Sequence, residues 1–431
     1  MTTASRTRID PMARFVRLAW GRRLETGLTL AAIAARVTSF ALLGKGVATL
    51  LLAVGAVATV VHPTSRRWLV DHTRAERLAR THAKVFDAVG IDPSVAPVVV
   101  GRRATPSGAV LDLHLSPRCT VADLEARIGP LAVAFGAATV RIRPDRGAAG
   151  RAQLVLAYVD PLAGLPLAWP WTHVASCDLW GGLPFGVDED DQLVVLELAG
   201  HHLLLGGEPG AGKSNALSLV TAAAALDPDV ELWCFDGKLV ELAAWRRCAR
   251  RFVGADVEAA TSVLRELQSE MEARYAVLLE RGLRKVDRET GLGLVVVVID
   301  ELALYTQAKG KSRDELVEVL RDIVARGRAA GIVVVAATQK PAADVVPTSI
   351  RDLFGCRMAL RCSTRDASDT VLGAGWAAEG YAASIIDPAT RGVGYLLAEG
   401  GVPERVRCFA IDDQELWTLA RRAEELREVG R

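Results

Sequence analysis

The stretch Gly207-Glu-Pro-Gly-Ala-Gly-Lys-Ser214 constrains this chain more than any other. It satisfies the phosphate-loop pattern G-x-x-x-x-G-K-[ST]. Glycines in such a loop let successive backbone N–H groups turn inward onto phosphate oxygens, and a helix N-terminus adds partial positive charge. The pattern works only between a strand and a helix, and both are predicted here. Residues 202–206 (His-Leu-Leu-Leu-Gly) read as a short buried strand, and 215–226 read as a helix. Gly207, Glu208, Pro209, Gly210, Ala211, Gly212, Lys213, Ser214 and Asn215 are therefore the candidate ATP-binding residues. Lys213 would reach the β and γ phosphates, and the Ser214 hydroxyl would take a Mg2+ position.

Strand and helix alternate through the rest of the second half, as in a parallel-sheet nucleotide-binding fold. Residues 230–235 read as a strand ending at Asp236-Gly237-Lys238, and a long helix follows with Val263, Leu267, Met271, Tyr275 and Leu278 on one stripe. The uninterrupted apolar run 294–299 then delivers Asp300-Glu301. An acid at the tip of a buried strand beside a phosphate loop can hold the water shell of Mg2+, the role expected of Asp300. Its neighbour Glu301 can polarise an attacking water as general base, typically worth about 10²–10⁴ in rate. The competing reading is that the acidic pair caps the next helix. A further strand, 332–337, leads into Thr338-Gln339-Lys340-Pro341. Gln339 is the candidate sensor of the γ phosphate, against a reading in which it caps a turn before Pro341.

Composition bounds the remainder. A chain of 431 residues holds two or three domains. The net charge of +1 announces no global affinity for nucleic acid, so any such contact must be a local patch. The seven cysteines include no C-x-x-C pair and read as reduced core thiols. Residues 28–61 are apolar, broken mainly by Arg36 and Lys45, and basic residues flank them on both sides. One or two membrane passes are expected, with both flanks cytoplasmic if there are two. The expected organisation is a membrane anchor over 1–80, a small α/β docking domain over 81–188 and an ATPase domain over 189–431. The small domain shows strands near 98–100, 109–115, 139–142 and 153–159, with a helix opened by Thr120 and Asp123.

The motifs taken in order resemble the FtsK/SpoIIIE family of membrane-anchored double-stranded DNA translocases. They are HLLLGGEPGAGKS at 202–214, DGKLVEL at 236–242, MEARY at 271–275, VVVVIDELA at 295–303, RAAGI at 328–332, ATQKPAADVV at 337–346 and SIRDLFGCRMALRCSTRDASDTVLG at 349–373. The resemblance covers about 98–413. It implies a RecA-like P-loop motor of α/β class with a mainly parallel sheet. It also implies a hexameric ring that threads duplex DNA, with ATP and Mg2+ bound between subunits. The compact, arginine-rich form resembles actinobacterial plasmid-transfer proteins, so conjugative transfer or chromosome segregation is the implied setting. Over 414–429 a helix is expected, and no winged-helix reader is read there.

In a ring of identical subunits, Arg326, Arg328 or Arg357 could reach a neighbour's ATP and stabilise transition-state charge. Two basic clusters are candidates for the DNA path: Arg281, Arg284, Lys285 and Arg288, and then Lys309, Lys311 and Arg313. Each could equally be ordinary surface charge. The alternative functions are a protein-secretion ATPase and a non-hydrolysing membrane scaffold.

Overall fold

The computed structural model describes residues 84–429, apart from 106, 146, 165, 340, 343 and 344. The anchor expected over 1–80 lies outside them. Among the described residues no helix is long and apolar enough to cross a membrane. The chain divides into two compact units, Met1–Val159 and Asp160–Arg431.

The described part of the first unit is built on a four-stranded antiparallel sheet. Its elements are β1 (Val98–Thr105), β2 (Gly108–His114), α1 (Val121–Glu125), α2 (Ile128–Phe135), β3 (Thr139–Pro144) and β4 (Arg151–Ala157). The strand order is β1-β2-β4-β3. Leu111, Leu113, Leu154 and Leu156 pack with Leu124, Leu131 and Phe135 from the helices. Thr120 and Asp123 form a reciprocal capping box at the start of α1, as their spacing suggests. The single helix expected after Thr120 is in fact two, because α1 ends at Glu125 and α2 begins at Ile128.

The second unit carries one ten-stranded sheet. Its strands are β5 (Leu183–Asp188), β6 (Leu193–Leu196), β7 (Leu203–Gly206), β8 (Val230–Phe235), β9 (Arg251–Val253), β10 (Leu294–Ile299), β11 (Ile332–Thr338), β12 (Cys356–Leu360), β13 (Val393–Leu397) and β14 (Glu404–Cys408). In space they run β6-β5-β14-β13-β12-β7-β11-β10-β8-β9. From β12 to β9 every pairing is parallel. From β12 to β6 every pairing is antiparallel. The sheet is thus parallel where the phosphate loop stands, and an antiparallel wing extends it.

Burial on both faces explains why the central strands read as unbroken apolar runs. Along β10, Leu294, Val296 and Val298 enter one core, and Val295, Val297 and Ile299 enter the other. The first core is closed by α3 (Lys213–Leu226) and by the C-terminal helix, named α9 below. The second is closed by α4 (Val257–Glu280) and by α6 (Lys311–Arg326), which follows the short α5 (Leu302–Thr306). After α6 come α7 (Thr348–Arg351), α8 (Arg365–Leu372) and α9 (Asp413–Val429). On α4 the buried stripe includes Leu264, Leu267, Met271 and Leu278, while Val263 and Tyr275 are only half-buried.

The expected boundary at 188 falls inside this unit. Buried apolar residues of 160–188 pack into the cores of the large sheet. Trp169, Leu179, Leu183 and Phe185 lie in its core. The Trp169 indole donates to Pro184 O at 3.0 Å, and Arg407 donates to Leu162 O and Gly164 O.

Candidate nucleotide-binding site

The loop after β7 is shaped by the strands on either side of it. Gly207 N–H donates to Thr338 O at 3.2 Å, at the tip of β11, and Glu208 N–H donates to Arg361 O at 2.9 Å, just past β12. Gly210 and Gly212 take φ of +80° and +105°. A Cβ on Gly212 would fall 2.5 Å from Gly392 N, so backbone conformation and space both require glycine there. Among the described residues no side chain caps the N-terminus of α3. Its first-turn N–H groups are therefore left without a side-chain acceptor among the described residues, the condition under which a helix start receives an anion.

Lys213 and Asp300 meet beneath this loop. Lys213 is almost wholly buried; its Nζ donates to Asp300 O at 3.5 Å and stands 4.0 Å from Oδ1. Asp300 is fully buried at the tip of β10, and neither carboxylate oxygen has a hydrogen-bond partner among the described residues. Burial pushes its pKa up to about 6; Lys213 opposes the rise, and Glu241 and Asp236 add to it. A buried, unsatisfied carboxylate is normally costly. Here its two bare oxygens fit the hydration shell of a divalent cation, with the half-buried Ser214 one residue beyond Lys213. The residues present therefore suit a Mg2+–nucleotide pair.

Glu301 takes the helix-capping position of its competing sequence reading. Its Oε1 accepts from Ala303 N at 3.3 Å and so caps α5. The same oxygen accepts from the Thr338 hydroxyl at 2.8 Å, and Oε2 accepts from Gln339 N at 3.1 Å. The carboxylate is thereby held between the tips of β10 and β11. Gln339 reaches it through its main chain. Thr338, to which the sequence reading gave no role, orients it through its hydroxyl; the signal was the Thr at the very end of an apolar strand. Arg361 was also missed: it forms an ion pair with Glu208 of the loop.

Other expected site residues are not brought here. The Asn215 amide is taken by backbone beyond β14: Nδ2 donates to Phe409 O at 2.5 Å, and Oδ1 accepts from Ile411 N at 3.0 Å. Its side chain is an anchor of α3 rather than a nucleotide contact. Arg328 precedes β11, at the edge where the parallel strands begin, whereas the loop lies where they end. It donates to Gly200 O at 2.6 Å and pairs with Glu399 at 2.8 Å. Arg326 is committed to Asp322 and Glu272. Arg357 sits within β12, with Asp352 3.8 Å away and burial lowering its pKa.

The two basic clusters differ in what they leave available. Arg281 donates to Thr290 O and Arg288 pairs with Asp178 at 2.6 Å, although all four residues of this cluster are exposed. Lys309, Lys311 and Arg313 line an open depression of about 740 Å3, with Arg313 also donating to Thr306 O.

Comparison with known proteins agrees with the family resemblance. Residues 171–294 match the FtsK/SpoIIIE family. The DNA translocase FtsK of Chlorobaculum tepidum is 25% identical over 329 residues, covering 70% of this chain and 40% of that protein. The DNA translocase SftA of Bacillus subtilis is 32% identical over 203 residues, covering 43% and 21%. This chain thus spans two-fifths or less of the length of these relatives. Among solved structures, the pCW3 conjugation coupling protein TcpA, in its monomer form with ATPgS, superposes with a TM-score of 0.53. The identity there is 17%, covering 82% of this chain and all of that one, which establishes a shared fold.

Proposed function

From the premise that this chain carries an FtsK/SpoIIIE-family domain, we propose that it is an ATPase that moves double-stranded DNA. The observation that carries the reading is the group at the strand tips: Lys213 against Asp300, whose carboxylate accepts no hydrogen bond among the described residues, with Glu301 held by Thr338 and Gln339. The loop and the start of α3 bind the phosphates. Ser214 and Asp300 hold Mg2+, which when bound screens phosphate charge. Glu301 orients and deprotonates the attacking water, and Gln339 registers the presence of the γ phosphate. Arg328 and Arg357, lying away from their own loop, serve the neighbouring subunit's site in a hexameric ring. Residues 1–80 anchor that ring to the cell membrane, with the motor on the cytoplasmic side, and the cargo is a plasmid or chromosome.

The test is ATP turnover by the full chain, with and without linear duplex DNA, over a salt series. Stimulation by duplex of any sequence that fades as salt rises is expected, because phosphate contacts release counterions. Lys213→Ala and Glu301→Gln should each lower turnover by at least about 10². Full activity in Glu301→Gln would remove it as the base. Turnover indifferent to duplex would favour a protein-secretion ATPase, and its absence in a folded, nucleotide-bound chain would favour a scaffold.

A further inference from the structure

The phosphate loop carries a carboxylate of its own. Glu208 is the second residue of the loop, directly after Gly207. A loop that gathers N–H groups around a polyanion is weakened by formal negative charge within it. At an effective dielectric near 20, one such charge several ångströms from a phosphate lowers affinity by roughly tenfold or more. The fold places a compensating charge beside it. Arg361, the first residue past β12, forms an ion pair with Glu208, and the two main chains are joined by the Glu208 N–H to Arg361 O bond at 2.9 Å.

The contact is set by backbone rather than by side-chain reach. A Cβ on Gly207 would fall 2.8 Å from Leu360 Cβ and 3.4 Å from Arg361 O, so loop and strand tip are seated against each other. The side chains of Arg361 and Glu208 are 26% and 22% exposed, enough burial for the pair to escape full solvent screening. Lys213, the loop's own cation, faces Asp300 instead.

We infer that Arg361 sets the nucleotide affinity of this site by neutralising Glu208, acting as a positioning and charge-compensating residue that does not itself touch phosphate. The inference rests on the ATP reading above. It is tested on the full chain by titrating mant-ATP and mant-ADP with Mg2+ against wild type, Arg361→Gln, Glu208→Gln and the double variant, with melting temperatures recorded without nucleotide.

Arg361→Gln should weaken mant-ATP about tenfold and mant-ADP less, and the loss should shrink as salt rises. Glu208→Gln should tighten mant-ATP several-fold. The double variant should return to within about threefold of wild type, a rescue that a purely structural role for Arg361 would not produce. A double variant as weak as Arg361→Gln would overturn the inference and make Arg361 a direct phosphate contact. If Arg361→Gln fails to fold, Glu208→Gln decides alone, and unchanged affinity there would overturn it. A folded wild type that binds no mant-ATP would overturn the ATP reading, and this inference with it, before any variant is compared.

Discussion

Two buried titratable side chains, Asp300 and His202, pull the stability of the second unit in opposite directions with pH. His202 is fully buried; its Nδ1 accepts from Val334 N at 2.9 Å and its Nε2 donates to Val324 O at 2.9 Å, which holds the ring neutral. Burial lowers its pKa from 6.5 to about 4. The unfolded chain therefore binds the extra proton first, and stability falls by about 3 kcal/mol as pH drops from 6.5 to 4. Asp300 behaves in reverse. Its pKa is raised from 3.8 to about 6, so its cost is absent below pH 3.8 and complete above pH 6, again about 3 kcal/mol. Asp300→Asn should therefore stabilise the metal-free chain at pH 7.5 by about 2 kcal/mol in urea unfolding while abolishing ATP turnover. It should also leave the His202 effect uncovered, so that stability rises steadily from pH 4 to 6.5. An unchanged or lower unfolding midpoint at pH 7.5 would mean that Lys213 fully compensates the buried charge. The sequence made Asp300 legible as a strand-tip acid. That neither of its oxygens accepts a hydrogen bond, with Lys213 4.0 Å away, is a matter of long-range packing that only the fold arranges.

At the scale of elements, α3 is the part most exactingly held. Asn215 ties its first turn to the chain after β14. At its other end, Arg427 of α9 donates to Ala224 O and Ala225 O, satisfying carbonyls that the helix leaves open, and to Val230 O at the start of β8. Both anchors come from residues about two hundred positions away, so no local pattern could reveal them. Asn215→Ala strands Phe409 O and Ile411 N and should cost about 1–3 kcal/mol in denaturant unfolding. A loss under a few tenths would show that water replaces the amide. β10 was legible to the residue because burial on both faces leaves no polar interruption, and β8 was too, although Glu231 breaks its apolar run. The break between α1 and α2 was not, because Leu124, Ile128 and Leu131 keep a helical spacing across it.

At the scale of the molecule, the ten-stranded sheet has five parallel and four antiparallel pairings, and its antiparallel wing takes in β5 within the second unit. The basic clusters belong to this scale, since contact with a duplex depends on which charges remain available. Arg281 and Arg288 are committed within the chain, whereas Lys309 and Lys311 remain exposed at the start of α6. Lys309→Gln/Lys311→Gln should therefore remove most duplex stimulation of ATP turnover and reduce the salt slope of DNA binding by about 2, leaving DNA-free turnover as it was. Stimulation that survives would move the DNA path to Arg284 and Lys285.

Local chemistry determined the phosphate loop, the two acids after β10 and the central strands. A glycine-rich turn, a charged strand tip and an unbroken apolar run each have a physical meaning that does not depend on distant chain. Tertiary structure decided which groups are left unpaired, and that turns on long-range geometry: Asp300 without a donor, Asn215 spent on backbone, Glu208 matched by Arg361. A side chain's partners lie wherever the sheet order brings them, and here that order sets β12 beside β7 across about 150 residues of sequence.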